Sequence, residues 1–224
     1  MEKKDPAIIL AIETSGATLS AALWKGSALS GEVLLKAGRR HSDLLAPTCE
    51  SLLKSRSLKK TDLTHLAVCT GPGSFTGLRV GITFARTLAQ FLKIPLVEIP
   101  VFEILAAQAG VKKGVSKMCI TVPSIGEDVY VGFFRPGSTL PLSPYRVVPR
   151  SNLLRKLERE PQGKLLLIEG ESAAAPASTP RAGALAKLAW ERIQRRAPLQ
   201  DSWKKIHPLY LRPSIAQERR SQKK

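Results

Sequence analysis

Gly71-Pro72-Gly73-Ser74-Phe75-Thr76-Gly77-Leu78-Arg79 separates two segments of opposite character. Residues 65–70 before it form a short, mostly apolar run with the composition of a buried strand. After it, apolar residues recur at helical spacing over residues 76–92. A glycine-rich turn between strand and helix leaves backbone N–H groups free at the helix start, where an anion can bind. The same glycines let the backbone approach a neighbour closely. Two readings therefore stand side by side: an anion turn, or a tight turn that seats the helix on the sheet. It is not a phosphate loop of the Gly-Lys-Ser/Thr kind. Nor is it G-x-G-x-x-G, because Gly71, Gly73 and Gly77 are spaced two and then four apart.

The helix after the turn carries two apolar stripes. One is Leu78, Ile82, Ala85, Ala89 and Leu92, and the other is Val80, Phe84, Leu88 and Phe91. A helix lying on a sheet needs one stripe. A second implies another cover, either within the chain or from a partner.

Working towards the N-terminus, residues 7–12 are continuously apolar and read as a central strand buried on both faces. Glu13-Thr14-Ser15-Gly16 makes a turn. Residues 17–24 then alternate, with Leu19, Ala21 and Leu23 against Thr18, Ser20 and Trp24, and residues 32–35 supply a third strand. A helix follows, with Ser42 as its N-cap and Leu44, Leu45, Cys49, Leu52 and Leu53 at helical spacing. Pro47 lies early enough in it to be tolerated. Residues 95–99 form a fifth strand.

Beyond Pro100 a similar but weaker pattern restarts. Residues 102–109 read as a helix. Strands at 117–122 and 129–134 flank Pro123-Ser124-Ile125-Gly126, and further strands are expected at 145–148 and 164–168. Residues 181–195 form a last helix, and 136–144 and 170–180 are loops. The pattern predicts an α/β chain of two lobes, the second a reduced copy of the first. Residues 1–101 make the first lobe, 102–216 the second, and 217–224 a basic disordered tail.

The bulk chemistry narrows the function. The 224 residues carry a net charge of +17, which draws the protein to polyanions such as nucleic acid. The last 44 residues hold twelve Lys or Arg against three acids. The three cysteines are far apart and unpaired in pattern, as in a reducing compartment. The first apolar run is too short for a signal core or a membrane span, so a cytoplasmic protein is expected. His41, His65 and His207 are isolated and form no metal-ligand pattern. There is no G-x-S-x-G elbow. Glu13 at the tip of the first strand, followed by Thr14 and Ser15, has the chemistry to hold a metal–phosphate unit, or these residues simply close a hairpin. The corresponding turn at 123–127 offers Ser124 but no carboxylate at the strand tip, which argues against ATP hydrolysis by this chain alone.

Four segments, in this order and spacing, resemble the bacterial TsaB (YeaZ) family: Ile9-Leu-Ala-Ile-Glu-Thr-Ser15, His41-Ser-Asp-Leu-Leu-Ala-Pro47, Gly71-Pro-Gly-Ser-Phe-Thr-Gly-Leu-Arg-Val-Gly81 and Pro208-Leu-Tyr-Leu-Arg-Pro213. The likeness is strong over residues 7–105 and patchy beyond. It implies a two-lobed actin-like, sugar-kinase-like (ASKHA) fold and a part in making N6-threonylcarbamoyladenosine in tRNA. The family's members are non-catalytic relatives of the transferase TsaD. They pair with it through the first-lobe helices, and an ATPase, TsaE, joins the pair. Carried onto this sequence, the partner face comprises Leu44, Leu45, Thr48, Phe75, Leu78, Arg79, Ile82, Ala85 and Arg86. Glu13, Thr14, Ser15, Gly71, Gly73 and Ser74 are the candidates for an anion or nucleotide.

The resemblance thus implies a scaffold and activator with no catalytic residue, metal or cofactor of its own. A nucleotide at the partner interface and a homodimer through the same helices are left open. The basic C-terminal segment is the candidate tRNA contact. An ATPase or M22-type metallopeptidase acting alone is the alternative. Two positions depart from the family: Glu13 stands for its usual Asp, and Pro123-Ser124-Ile125 for its Asp-Ala-Arg.

Overall fold

The computed structural model describes residues 6–161, 164–170, 179–195 and 202–211. The predicted tail at 217–224 lies outside them. Two mixed sheets form the frame. The first comprises β1 (Ile8–Glu13), β2 (Thr18–Lys25), β3 (Ala28–Lys36), β4 (His65–Cys69) and β5 (Leu96–Ile99), in the order β3-β2-β1-β4-β5. The first three strands form an antiparallel meander, and β4 and β5 run parallel to β1. The second sheet comprises β6 (Lys117–Pro123), β7 (Asp128–Phe134), β8 (Arg146–Pro149) and β9 (Leu165–Glu169), in the order β8-β7-β6-β9.

Alternate residues of the first sheet enter two cores. Leu10, Ile12, Leu19, Ala21 and Leu23 pack under α1 (His41–Lys54) and α2 (Phe75–Leu92). Ile9, Ala11, Ala22 and Trp24 face the other way, against α3 (Val101–Ala109), α5 (Ala182–Gln194) and the inner face of β6. That second core is continuous across both sheets. The chain leaves the first sheet through α3 and returns to it through α5.

The return of α5 changes the reading of β2. Its alternation suggests one polar face, yet residues 18–24 are buried throughout. The hydroxyl of Ser20 is satisfied by α5, accepting from the N–H groups of Arg181 (3.3 Å) and Ala182 (3.1 Å). Trp24 meets Trp190 of α5 with ring centroids 5.9 Å apart. No side chain of Arg181 caps α5, so the acceptors come from other strands. Glu32 of β3 takes the next N–H, that of Gly183, at 2.5 Å.

Three further expectations are corrected. Ser42 is not the cap of α1: the helix starts at His41, and the Ser42 hydroxyl donates to Asp43. The third strand is longer than residues 32–35, because its pairing with β2 continues past an irregularity at Leu23/Trp24 to Ala28. A short helix missing from the sequence pattern, α4 (Arg150–Leu157), lies on the second sheet and fully buries only Leu153.

Candidate functional site

The turn at 71–77 is packed against the β1–β2 turn of the same chain. Ser74 donates its N–H to the carbonyl of Ser15 at 2.6 Å, and Thr14 donates its hydroxyl to the carbonyl of Gly77 at 2.8 Å. A Cβ at Gly73 would overlap the Ser15 carbonyl oxygen, and one at Gly77 the Thr14 carbonyl oxygen. Gly71 has φ +91°, where a side chain is strained, and a Cβ there would crowd Leu78. The hydroxyl of Ser74 caps α2 by accepting from Gly77 N–H at 3.2 Å. The structure therefore brings Thr14, Ser15, Gly71, Gly73 and Ser74 together. The space the glycines open is filled by the chain's own backbone.

Glu13 completes this junction. Its Oε1 accepts from the backbone N–H of Ser15 at 2.8 Å and from the Ser15 hydroxyl. Its Oε2 lies 3.9 Å from Nη1 of Arg181, and both side chains are buried. Oε2 accepts no hydrogen bond among the described residues. The strand-tip carboxylate is thus held by its own turn and by a cation from α5. Beside it, burial pushes the Cys69 thiol far up, and the Glu13 charge adds to that. At the second hairpin, Ser124 N–H donates to the Asp128 carbonyl, while the Ser124 hydroxyl is buried without a partner among the described residues. No group of three His, Cys, Asp or Glu residues suited to a metal occurs among the described residues.

The outer surface of α1 and α2 differs from expectation in its composition. Leu45, Thr48, Leu78, Ile82 and Ala85 are buried, the four apolar ones within the core against the sheet. Helical periodicity identifies stripes without saying which one the sheet takes. Here the sheet takes the stripe of Leu78 and Ile82. Leu44 and, from the second stripe, Val80, Phe84 and Leu88 are half-buried at the edge of the same core, Arg86 is half-buried, and Phe91 is 69% exposed.

At the N-terminal end of α2 the surface carries a stacked cluster. The Arg79 guanidinium lies 3.8 Å from the centre of the Phe75 ring. Phe75 is 46% exposed and Tyr210 52%, with their rings 6.0 Å apart. Arg79 Nε donates to the Tyr210 hydroxyl at 3.4 Å. Tyr210 is held there because Leu209 N–H donates to the Thr70 carbonyl at 2.8 Å. Sequence reasoning selected Phe75 and Arg79 but gave Tyr210 no role. Its signal was the quoted segment from Pro208.

A family model described as TsaD, tRNA N6-adenosine threonylcarbamoyltransferase, matches residues 31–135. The tRNA threonylcarbamoyladenosine biosynthesis protein TsaB of Bacillus subtilis is 40% identical over 99 residues, 44% of this chain and 43% of that protein. TsaB of Escherichia coli is 31% identical over 122 residues, 54% of this chain and 52% of that protein. The chain thus spans about half the length of these relatives. A solved Pseudomonas aeruginosa structure, described as similar to peptidase YeaZ, superposes with TM-score 0.76 at 23% identity, covering 92% of this chain and all of that one. The two sheets and their shared core define an α/β protein with the fold of that YeaZ-like structure. Within that class the chain is similar, over about half of its length, to TsaB proteins, which are named for the biosynthesis of threonylcarbamoyladenosine in tRNA. No described helix is long and apolar enough to cross a membrane.

Proposed function

We propose that this chain is a non-catalytic subunit of a tRNA threonylcarbamoyladenosine synthesis complex, binding and activating a TsaD-type transferase through the outer face of α1 and α2. The observation that carries this is the exposed Phe75–Arg79–Tyr210 cluster beside the half-buried stripe of α2. Aromatic residues and arginine are the types that anchor protein interfaces. The glycine motif supports the same reading from below. Ser74 N–H and the Gly77 carbonyl are spent on seating α2, and the motif's exposed side chains include Phe75 and Arg79. Leu44 and Arg86 complete the proposed face. A TsaE-type ATPase joins the pair in the cytoplasm, and the basic C-terminal segment contributes to holding tRNA. In the absence of its partner the chain forms a homodimer through the same face.

An ATPase or M22-type peptidase acting alone draws no support from Glu13. That carboxylate is closed off by Ser15 and Arg181. The experiment is copurification with the TsaD and TsaE proteins of the same cell, followed by nucleoside analysis of tRNA after depletion of this chain. Co-elution and loss of threonylcarbamoyladenosine are expected. A TsaD that modifies tRNA equally well without this chain would overturn the proposal.

A further inference from the structure

The outer face of the second sheet is only partly covered. Cys119, Val129 and Val131 form a small core there with Leu153 of α4, and Phe133 packs at its edge. Because α4 is only 8 residues long, it leaves part of this face open. A cavity of about 520 Å³ remains between α4, β7 and the segment Leu142–Pro144. That volume falls in the range of small-ligand sites, on the order of 300–1,000 Å³.

Its chemistry is specific. The ring of Phe133 forms part of the wall. Lys117 Nζ stands 4.8 Å and Lys156 Nζ 5.7 Å from the ring centre. Arg146, on β8, lines the same cavity and is exposed. Glu160 offsets one of these cations, holding Lys117 at 2.8 Å. Arg146 and Lys156 pair with no carboxylate among the described residues. Burial pushes the Cys119 thiol beneath up to about 12, against the pull of Lys117 and Lys156. An apolar slot with an aromatic wall and a cationic mouth is complementary to a planar base carrying a phosphate. Single-stranded nucleic acid is bound elsewhere by this combination of stacking side chain and basic track.

We infer that this cavity is an RNA contact, taking one unpaired nucleotide with its base against Phe133 and its phosphates on Lys117, Arg146 and Lys156. A strand is favoured over a free nucleotide because the net charge of +17 rewards a polyanion more than a single phosphate. It is favoured over an acidic peptide because carboxylates would use the cations and leave the ring wall unmatched. The inference goes beyond pairing on α1 and α2 and does not depend on it.

The test is fluorescence anisotropy of the full chain with a labelled single-stranded RNA dodecamer across a salt series, with no partner protein present. Lys156→Glu with Arg146→Glu should weaken binding about tenfold or more. It should also flatten the salt dependence by about 0.7 log units per lost phosphate contact. Lys36→Glu with Arg39→Glu, an equal charge change on exposed first-lobe residues, should cost less than about threefold. Phe133→Leu should weaken binding about fivefold or more through lost stacking, and Phe133→Tyr should restore it. Millimolar AMP and poly-glutamate of matched charge should displace the RNA poorly. Equal losses in the two charge variants would overturn the inference. So would loss in both Phe133 variants, or displacement by AMP or poly-glutamate as complete as by unlabelled RNA.

Discussion

Gly81 of α2 lies directly on the side chain of Thr14, so close that a Cβ at position 81 would overlap the Thr14 hydroxyl oxygen. One turn earlier, Gly77 bears in the same way on the Thr14 carbonyl. Two glycines four apart thus form a groove along α2 that takes the turn after β1. The obstacles differ in kind: at 77 it is backbone, at 81 a side chain.

That difference sets the first prediction. Alanine gains about 1 kcal/mol of helix propensity over glycine, whereas forced overpacking costs about 1–3 kcal/mol. Gly77→Ala should lose stability on balance, by up to about 2 kcal/mol in urea unfolding, since a strand-end carbonyl cannot move aside. Gly81→Ala should lose less. Adding Thr14→Ala to it should recover more than additivity allows, because the clashing oxygen is then gone. Additive losses would show that the groove is not what fixes α2.

The first sheet and α2 were legible because their signals are local. The apolar run at 7–12, the alternation at 17–24 and the helical spacing at 76–92 each announce an element within a few residues of itself. Three features were not, and the first two depend on distant chain. Ser20 looks like a solvent-facing strand residue, but it serves N–H groups 161 and 162 positions away. The fate of the two α2 stripes depends on which face the sheet takes. Helix α4 has a single fully buried side chain, Leu153, too little for a periodic pattern. At the glycine motif, sequence alone left anion turn and tight turn equal. The carbonyls of Thr14 and Ser15, which fill the space, carry no side-chain signature.

The start of α5 supplies a second prediction. Ser20 and Glu32 act as its cap from β2 and β3. Loss of an N-terminal acceptor costs about 0.5–2 kcal/mol. Ser20→Ala and Glu32→Ala should each destabilise by about 1 kcal/mol in chemical denaturation. Glu32→Gln, which keeps an acceptor oxygen for Gly183, should lose less than Glu32→Ala. Equal losses would place the effect in packing rather than capping.

A third prediction concerns pH. Burial holds the Glu103 carboxyl above the ordinary value of 4.5, against the pull of Arg192, which donates to it at 2.7 Å. Burial also raises Glu32, against the N–H of Gly183. A raised folded value means that the native state keeps its proton to higher pH than the unfolded chain does. Stability from these groups is therefore greatest below 4.5 and falls as pH rises through the folded values. In melting curves from pH 4 to 7.5, Glu103→Gln should gain on the wild type as pH rises through this window. A difference that stays constant with pH would refute the assignment.

The last prediction separates core from face on α2. Ile82 is 3% exposed and packs with Leu10 and Val68, so Ile82→Glu places a carboxylate in a closed apolar core. An unpaired buried charge is among the few changes that cost more than about 4 kcal/mol, so this variant should fail to fold or melt far earlier. Leu45→Glu should behave alike. Phe75→Glu and Arg79→Glu alter side chains that already meet solvent, and both should keep the wild-type melting temperature within a few degrees. On the proposed reading they lose TsaD in copurification all the same. Arg79→Glu both removes the guanidinium stacked on Phe75 and reverses its charge. Folded Phe75 and Arg79 variants that still bind TsaD at full strength would move the partner face away from this end of α2. The second stripe, with half-buried Phe84 and exposed Phe91, would then be the surface to test.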